Sequence, residues 1–339
     1  MKTPTINRTY IAKDATLVTF ADVEPYFNEL LSRNLNDLAA YEKWIENISE
    51  LDAFLEENGA WRYIKMSIDT ANPELTESYT YFITEIQPKL APLNNELNKK
   101  IMQSSFHKEL SQDKSYAIYF RSIEVQLALF REENIAIEAY LGEKSQEFGS
   151  ISAAQTIEHE GETLTMQQAS VHLKNQDALI RENVYNKIAE RRRQDINTFN
   201  KLYTELIQKR HELAKNAGFD NYRDYMFQNM GRFDYTKEAC YDFHEAVSQK
   251  VVPLVRRIQE EKLEKLGKSA FKPWDLDVDP DGKKPLKPFK NGAEMLEKTI
   301  EIFKQMDPYF GDCLAMMKTM GHLDLESKRS EEHTSELQS

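Results

Sequence analysis

The chain has 339 residues, a net charge of −12 and only 11 glycines and 11 prolines. This length can bury a substantial core in one large or two ordinary domains, and the acidic balance argues against nucleic acid as a partner. Glycine and proline together reach about half their usual ~12% share, which implies few turns and long helices. Cys240 and Cys313 match no C-x-x-C or zinc-ribbon spacing, so no disulfide framework or structural zinc is expected and a reducing cytoplasm fits.

The opening MKTPTINRTYIAKDATLVTF lacks the unbroken apolar segment of a signal peptide, and no run of eighteen apolar residues follows, so secretion and membrane insertion are disfavoured. Trp44, Ile48, Leu51 and Leu55 recur at helical spacing, as do Phe82, Ile86, Leu93, Leu97 and Ile101, and then Phe120, Ile123, Leu127 and Phe130. These stripes predict helices on one core, with Asn72-Pro73 separating the first two. From Thr156 to Thr165 the pattern turns to alternation around Glu160-Gly161, a hairpin or tight turn, and Thr165 with Gln168 is a capping-box signature that restarts helix.

A domain boundary is placed there. One long helix is predicted from about Asp177 to the cap at Gly218, and a second from Thr236, kinked at Pro253 and ended at Gly267. Pro273, Pro280, Pro285 and Pro288 make the following stretch a loop with one short strand at Trp274 to Val278, after which helices resume around Met295 and Tyr309. The expected class is all-α with a minor hairpin.

Four segments invite a functional reading. A zinc helix of the form H-E-x-x-H needs two histidines four apart on one face, with glutamate between them to activate water. His211-Glu212-Leu213-Ala214-Lys215 and His244-Glu245-Ala246-Val247-Ser248 each lack the second histidine, and a lysine there would repel a metal. Asp277, Asp279, Asp281 and Gly282 imitate the start of a calcium loop, but Pro288 stands where a bidentate glutamate is needed, so a solvated acidic turn is expected. Arg191, Arg192 and Arg193 are consecutive, fan around the helix axis and should pair with nearby acids. The sequence therefore offers no catalytic, cofactor-binding or metal-binding residue.

Several segments together resemble the oligoendopeptidase F and thimet oligopeptidase family of zinc metallopeptidases: EGETLTMQQASVHLKNQDALIRENVYNKIAERR (160–192), ELAKNAGFDNYRDY (212–225), RFDYTKEACYDFHEAVSQKVVP (232–253), KPWDLDV (272–278) and GHLDLESK (321–328). The resemblance implies a mostly helical, two-lobed, channel-forming fold, present here only in part. It implies residues 1–155 as an N-terminal helical domain and 156–328 as the beginning of the catalytic domain. It also implies zinc in the intact parent, oligopeptide substrates, and an H-E-x-x-H motif downstream of the segment shown. The last eleven residues, Arg329 to Ser339 (RSEEHTSELQS), resemble a common sequencing adapter translated in frame, so the natural sequence is expected to continue differently after Lys328. The expected function is that of an inactive N-terminal fragment of a zinc oligoendopeptidase; the alternatives are a non-catalytic helical scaffold that binds a protein partner and, more remotely, a calcium-responsive module.

Overall fold

The computed structural model describes residues 8–69 and 72–325; the adapter-like tail lies outside the described residues. The chain folds into two compact units that interleave in sequence. One comprises Arg8–Ser150 with Asn197–Glu245, and the other comprises Ile151–Ile196 with the described part of Ala246–Ser339. Residues 197–245 thus return to the helices that open the chain.

In the first unit the helix Leu38–Ile68 is capped by Asp37, whose carboxylate accepts from the Ala40 amide at 2.7 Å. The predicted stripe faces inward: Trp44, Ile48, Leu51 and Leu55 are buried with Phe82, Ile86, Leu97, Ile101, Phe120 and Ile123 in one core. Trp44 is 0% exposed, and its indole N–H donates to the Leu30 carbonyl at 3.0 Å, so the ring is buried with its polar atom satisfied. The Lys100 ammonium lies 5.0 Å from that ring and donates to the carbonyls of Leu30, Leu31 and Arg33, closing the C-terminal end of the helix Glu24–Ser32. A smaller core joins Leu129 and Ile137 to Leu213, Ala214 and Tyr225. Buried Asn134 serves it by donating to the Leu213 carbonyl at 3.0 Å.

In the second unit the strands Thr156–His159 and Glu162–Thr165 pair antiparallel, with Ile157 opposite Leu164. They turn at Glu160 and Gly161, both of which take positive φ. The Thr165–Gln168 capping box forms as predicted and starts the helix Met166–Ser170. The hairpin buries Ile157 and Leu164 with Val184 and Ile188 of the helix Ala178–Gln194.

Two local expectations are corrected and a third, the irregularity at Pro253, takes a specific form. The predicted helix from Asp177 to Gly218 is two helices, Ala178–Gln194 and Ile196–Asn216, separated at Asp195. The Asp195 carboxylate is held there by Gln155 at 2.8 Å and Arg191 at 2.6 Å. The predicted strand at Trp274 to Val278 is a 3₁₀ turn, Pro273–Asp275, because Arg181 draws the Trp274 carbonyl and the Asp275 carboxylate inward and leaves no ladder to join. The helix beginning near Thr236 is divided by a π turn, Val247–Val251, immediately before Pro253, whose missing N–H removes a donor from the α pattern.

Candidate functional site

The residues singled out in the sequence do not converge. His211 and Glu212 are exposed on the helix Ile196–Asn216, while Leu213 and Ala214, their neighbours, are the buried ones. Glu212 pairs with Lys209 at 2.8 Å, and Lys215 lies 3.6 Å from Asp220. His244 and Glu245 are likewise exposed, on the helix Lys237–Ala246. Among the described residues no three His, Cys, Asp or Glu side chains come together as a metal would require. The donors present therefore do not fit a zinc site, and no hydrolytic step is derived from them.

The acidic turn is occupied by the protein's own groups. One Asp279 carboxylate oxygen accepts from the Asp281 amide at 2.8 Å, and the Asp281 carboxylate pairs with Lys265 at 2.8 Å. The Lys265 bond holds the Asp281 carboxyl below the usual carboxylate range. In the arginine run, Arg191 pairs with Asp195 and Arg193 lies 3.3 Å from Glu190, as consecutive helical residues with separate acidic neighbours should.

The second unit's strongest polar contact is a buried cluster. Arg181, 2% exposed, donates to the carbonyls of Trp274, Asn175 and Gln176 and to the Asp275 carboxylate at 2.7 Å. Lys268 reaches both Asp275 oxygens at 2.6 Å. Burial alone would raise the Asp275 carboxyl, but Lys268, Arg181 and the Lys272 amide outweigh it and hold it below the ordinary range. With four hydrogen bonds from Arg181 and two from Lys268 directed at the loop and its flanking carbonyls, the cluster locks the loop to the helix.

Sequence reasoning missed a cavity of about 810 Å³ in the first unit, within the size range of small-ligand sites. Asp52, Glu56, Gly59 and Tyr63 from the helix Leu38–Ile68 line one wall, and Glu138 and Gly142 from the helix Glu132–Ala153 line another. Between them lies a π turn, Phe82–Ile86, in which the Gln87 amide bonds back to the Phe82 carbonyl. Pro88 follows within the next helical turn, and the missing N–H is a physical cause of the wider turn. Glycine at 59 is required by the Phe82 ring: a Cβ there would lie 2.8 Å from a ring carbon.

Asp52 lines the cavity and is exposed to solvent. The protein packed beside its carboxyl, with Glu56 one turn away, raises that group to about 6. Partial desolvation also raises the Glu138 carboxyl, on an equally exposed residue. The available sequence signals were two acids at i and i+4 inside an otherwise apolar stripe and a glycine in mid-helix. Both are common on ordinary helices, and only packing shows that they share a cavity.

Residues 14–130 match the Peptidase M3 N-terminal domain and residues 171–306 match Peptidase family M3. No curated protein matches the chain. Among solved structures, the fold is similar to a protein described as an oligoendopeptidase F from Bacillus anthracis str. Ames, with a TM-score of 0.87, 19% identity, and coverage of 96% of this chain and 60% of that one. It is also similar to PZ peptidase A with an inhibitor, with a TM-score of 0.87, 19% identity, and coverage of 93% and 56%. Oligoendopeptidase-F from Enterococcus faecium superposes with a TM-score of 0.63 at 19% identity, covering 85% of this chain and 61% of that one. The chain thus spans about 56–61% of the length of these structures. With two successive segments matching domains of a single family, on a fold shared with oligoendopeptidase structures, the chain belongs to peptidase family M3.

Proposed function

We propose that this chain is the N-terminal portion of a zinc-dependent oligoendopeptidase that cleaves short unstructured peptides in the cytoplasm, and that the portion itself is inactive. Family membership supports the peptidase reading. The observation that carries the rest is chemical: 339 residues of an M3 chain contain no H-E-x-x-H, the arrangement that such hydrolysis needs. In this reading zinc, its ligands and the water-activating glutamate belong to a further segment, and the present residues supply scaffold alone. In sequence order, residues 1–155 are the N-terminal helical domain and 156–328 the opening of the catalytic domain, with 197–245 returning to pack on the first segment; 329–339 is an adapter-derived tail. The partners are oligopeptides, with neither nucleic acid nor membrane involved. No helix of the described residues is long and apolar enough to cross a membrane.

The exposed apolar faces of the later helices also support an incomplete fold. The helix Val252–Lys265 has no buried residue, although Leu254, Val255 and Ile258 are large and apolar. Such faces are stable in water when another element covers them.

The test is to read the gene through the junction after codon 328 and to assay both products. The expected result is a continuing frame with H-E-x-x-H, zinc-dependent cleavage by the extended protein and none by the 339-residue chain. A natural stop at that point, with a monodisperse and cooperatively folding protein, would favour the scaffold reading instead. Stoichiometric zinc and peptide cleavage in the 339-residue chain would overturn the proposal outright.

A further inference from the structure

Between the acidic turn and the helix Gly292–Met306, the second unit carries a proline-spaced segment that has no part in the peptidase reading. Residues 282–289 form no helix, strand or turn, and every one of them is exposed. The order of residues repeats in threes: Lys284-Pro285-Leu286 is followed by Lys287-Pro288-Phe289 and then Lys290. Each proline fixes its own φ near about −65° and confines the lysine before it to extended conformations, which sets the segment for polyproline II. With three residues per turn, that helix places Lys284 and Lys287 on one edge, Pro285 and Pro288 on a second, and Leu286 and Phe289 on a third, each pair about 9 Å apart. A lone exposed leucine is ordinary on a protein surface, but Leu286, 92% exposed, stands in register with Phe289.

Both ends of the segment are pinned within the same unit. The Lys283 carbonyl accepts from Gln176 at 3.1 Å, and the Lys283 amide donates to the Asp279 carboxylate at 3.3 Å. At the other end the Pro288 carbonyl accepts from Lys298, and the Lys290 amide donates to Glu294 at 2.7 Å. Between these anchors, among the described residues, the carbonyls of Lys284, Pro285, Leu286 and Lys287 accept no hydrogen bond, and the ammonium groups of Lys284, Lys287 and Lys290 have no carboxylate partner. We infer that segment 284–290 is a polyproline-II ligand for a partner protein: its prolines, Leu286 and Phe289 enter a groove lined by aromatic rings, and its lysines meet an acidic rim. The unused carbonyls suit the Tyr and Trp donors of such a groove, and the pinned ends lower the cost of ordering on binding. An anionic membrane or a nucleic acid would use the lysines but not the three-residue period, and the net charge of −12 opposes approach to either. This inference goes beyond the peptidase reading and stands without it, since it requires no hydrolysis.

The experiment titrates the full 339-residue chain, by calorimetry at low salt, with an isolated SH3 domain whose aromatic groove has an acidic rim. Binding is expected, and Pro285→Ala with Pro288→Ala should weaken it about tenfold or more. Exchanging the order, Lys287→Pro with Pro288→Lys, keeps composition and charge but breaks the period, and should weaken binding as much. Lys284→Gln with Lys287→Gln should weaken it about fivefold and flatten its salt dependence. No binding by the native chain, or a reordered variant that binds within about twofold of it, overturns the proposal. Retention of the native chain by phosphatidylglycerol vesicles in place of the domain overturns it in favour of a membrane. Binding that disappears in the protein extended past codon 328 would assign the segment to the rest of the fold, and overturns it as well. Should a variant lose its helical circular dichroism, lysine acetylation of the native chain decides: the domain should slow modification of Lys284, Lys287 and Lys290, and slowing only at other lysines overturns the proposal.

Discussion

The helix Leu38–Ile68 and the helices that follow Ala246 use similar amino acids to opposite effect. In the first, Trp44, Leu51 and Phe54 are buried, and the two polar tips at Tyr41 and Trp44 find the carbonyls of Ile101 and Leu30. In the second, Ile258 is 55% exposed and Met306 69% exposed. The helices Gly292–Met306 and Pro308–Met320 do cross closely: a Cβ on buried Gly311 would lie 3.1 Å from the Ile300 carbonyl oxygen. Their other faces, with Ile302, Tyr309 and Phe310, remain open. An amphipathic pattern therefore records that a face is meant to be covered, but only a neighbouring element decides whether it is.

The sharpest way to break this contrast is Trp44→Ala, which removes a fully buried ring and should cost about 3–5 kcal/mol, read by urea unfolding with far-ultraviolet circular dichroism. A loss below about 1 kcal/mol would mean that the first unit is no better packed than the second.

Asp275→Ala tests the well-satisfied part of the second unit. Leaving Arg181 buried without its carboxylate should cost about 3–5 kcal/mol. Because the folded-state carboxyl lies below its ordinary value, this contribution is present above the usual carboxylate range and is lost as pH falls through the depressed value. The stability gap between native protein and Asp275→Asn should accordingly narrow as pH is lowered from about 5 to about 2. A gap that widens on acidification would contradict the assigned sign.

Polar substitutions on the open face give a smaller effect on stability. Ile258→Glu with Phe310→Lys should shift it by no more than about 0.5 kcal/mol each, while reducing binding of an apolar dye. A loss of several kcal/mol would show that these side chains are already packed.

The smallest change is expected at Asp52. Its raised carboxyl means that the folded protein holds the proton more tightly, so stability falls as pH rises from the unfolded value near 4 through about 6. Asp52→Asn should therefore stabilise the protein at pH 7 by only about 0.3 kcal/mol, read as a slight rise in melting temperature, because the group is reached by solvent. No pH-dependent difference between the two proteins would show that the Asp52 carboxyl is not raised.

Much of the architecture could be read before the structure, because the signals were local. The capping box at Thr165 and Gln168 and the left-handed end at Gly218 depend on groups a few residues apart, and both form. The stripe from Trp44 to Leu55 likewise names its own buried face. Expectations failed where a distant partner intervened. Asp195 divides a predicted helix by bonding Gln155, forty positions away, and Arg181 turns a predicted strand into a tight turn from ninety-four positions away.

The amino-acid order alone determined which stretches are helical, where the hairpin turns and that no H-E-x-x-H lies in the chain, since each depends on neighbours within a turn or two. Tertiary structure decided the return of 197–245 to the opening helices, the burial of Arg181 against Asp275, and the meeting of Asp52, Glu56 and Glu138 around one cavity. Those outcomes depend on long-range packing, in which burial and charge compensation are settled by residues that no local pattern brings together.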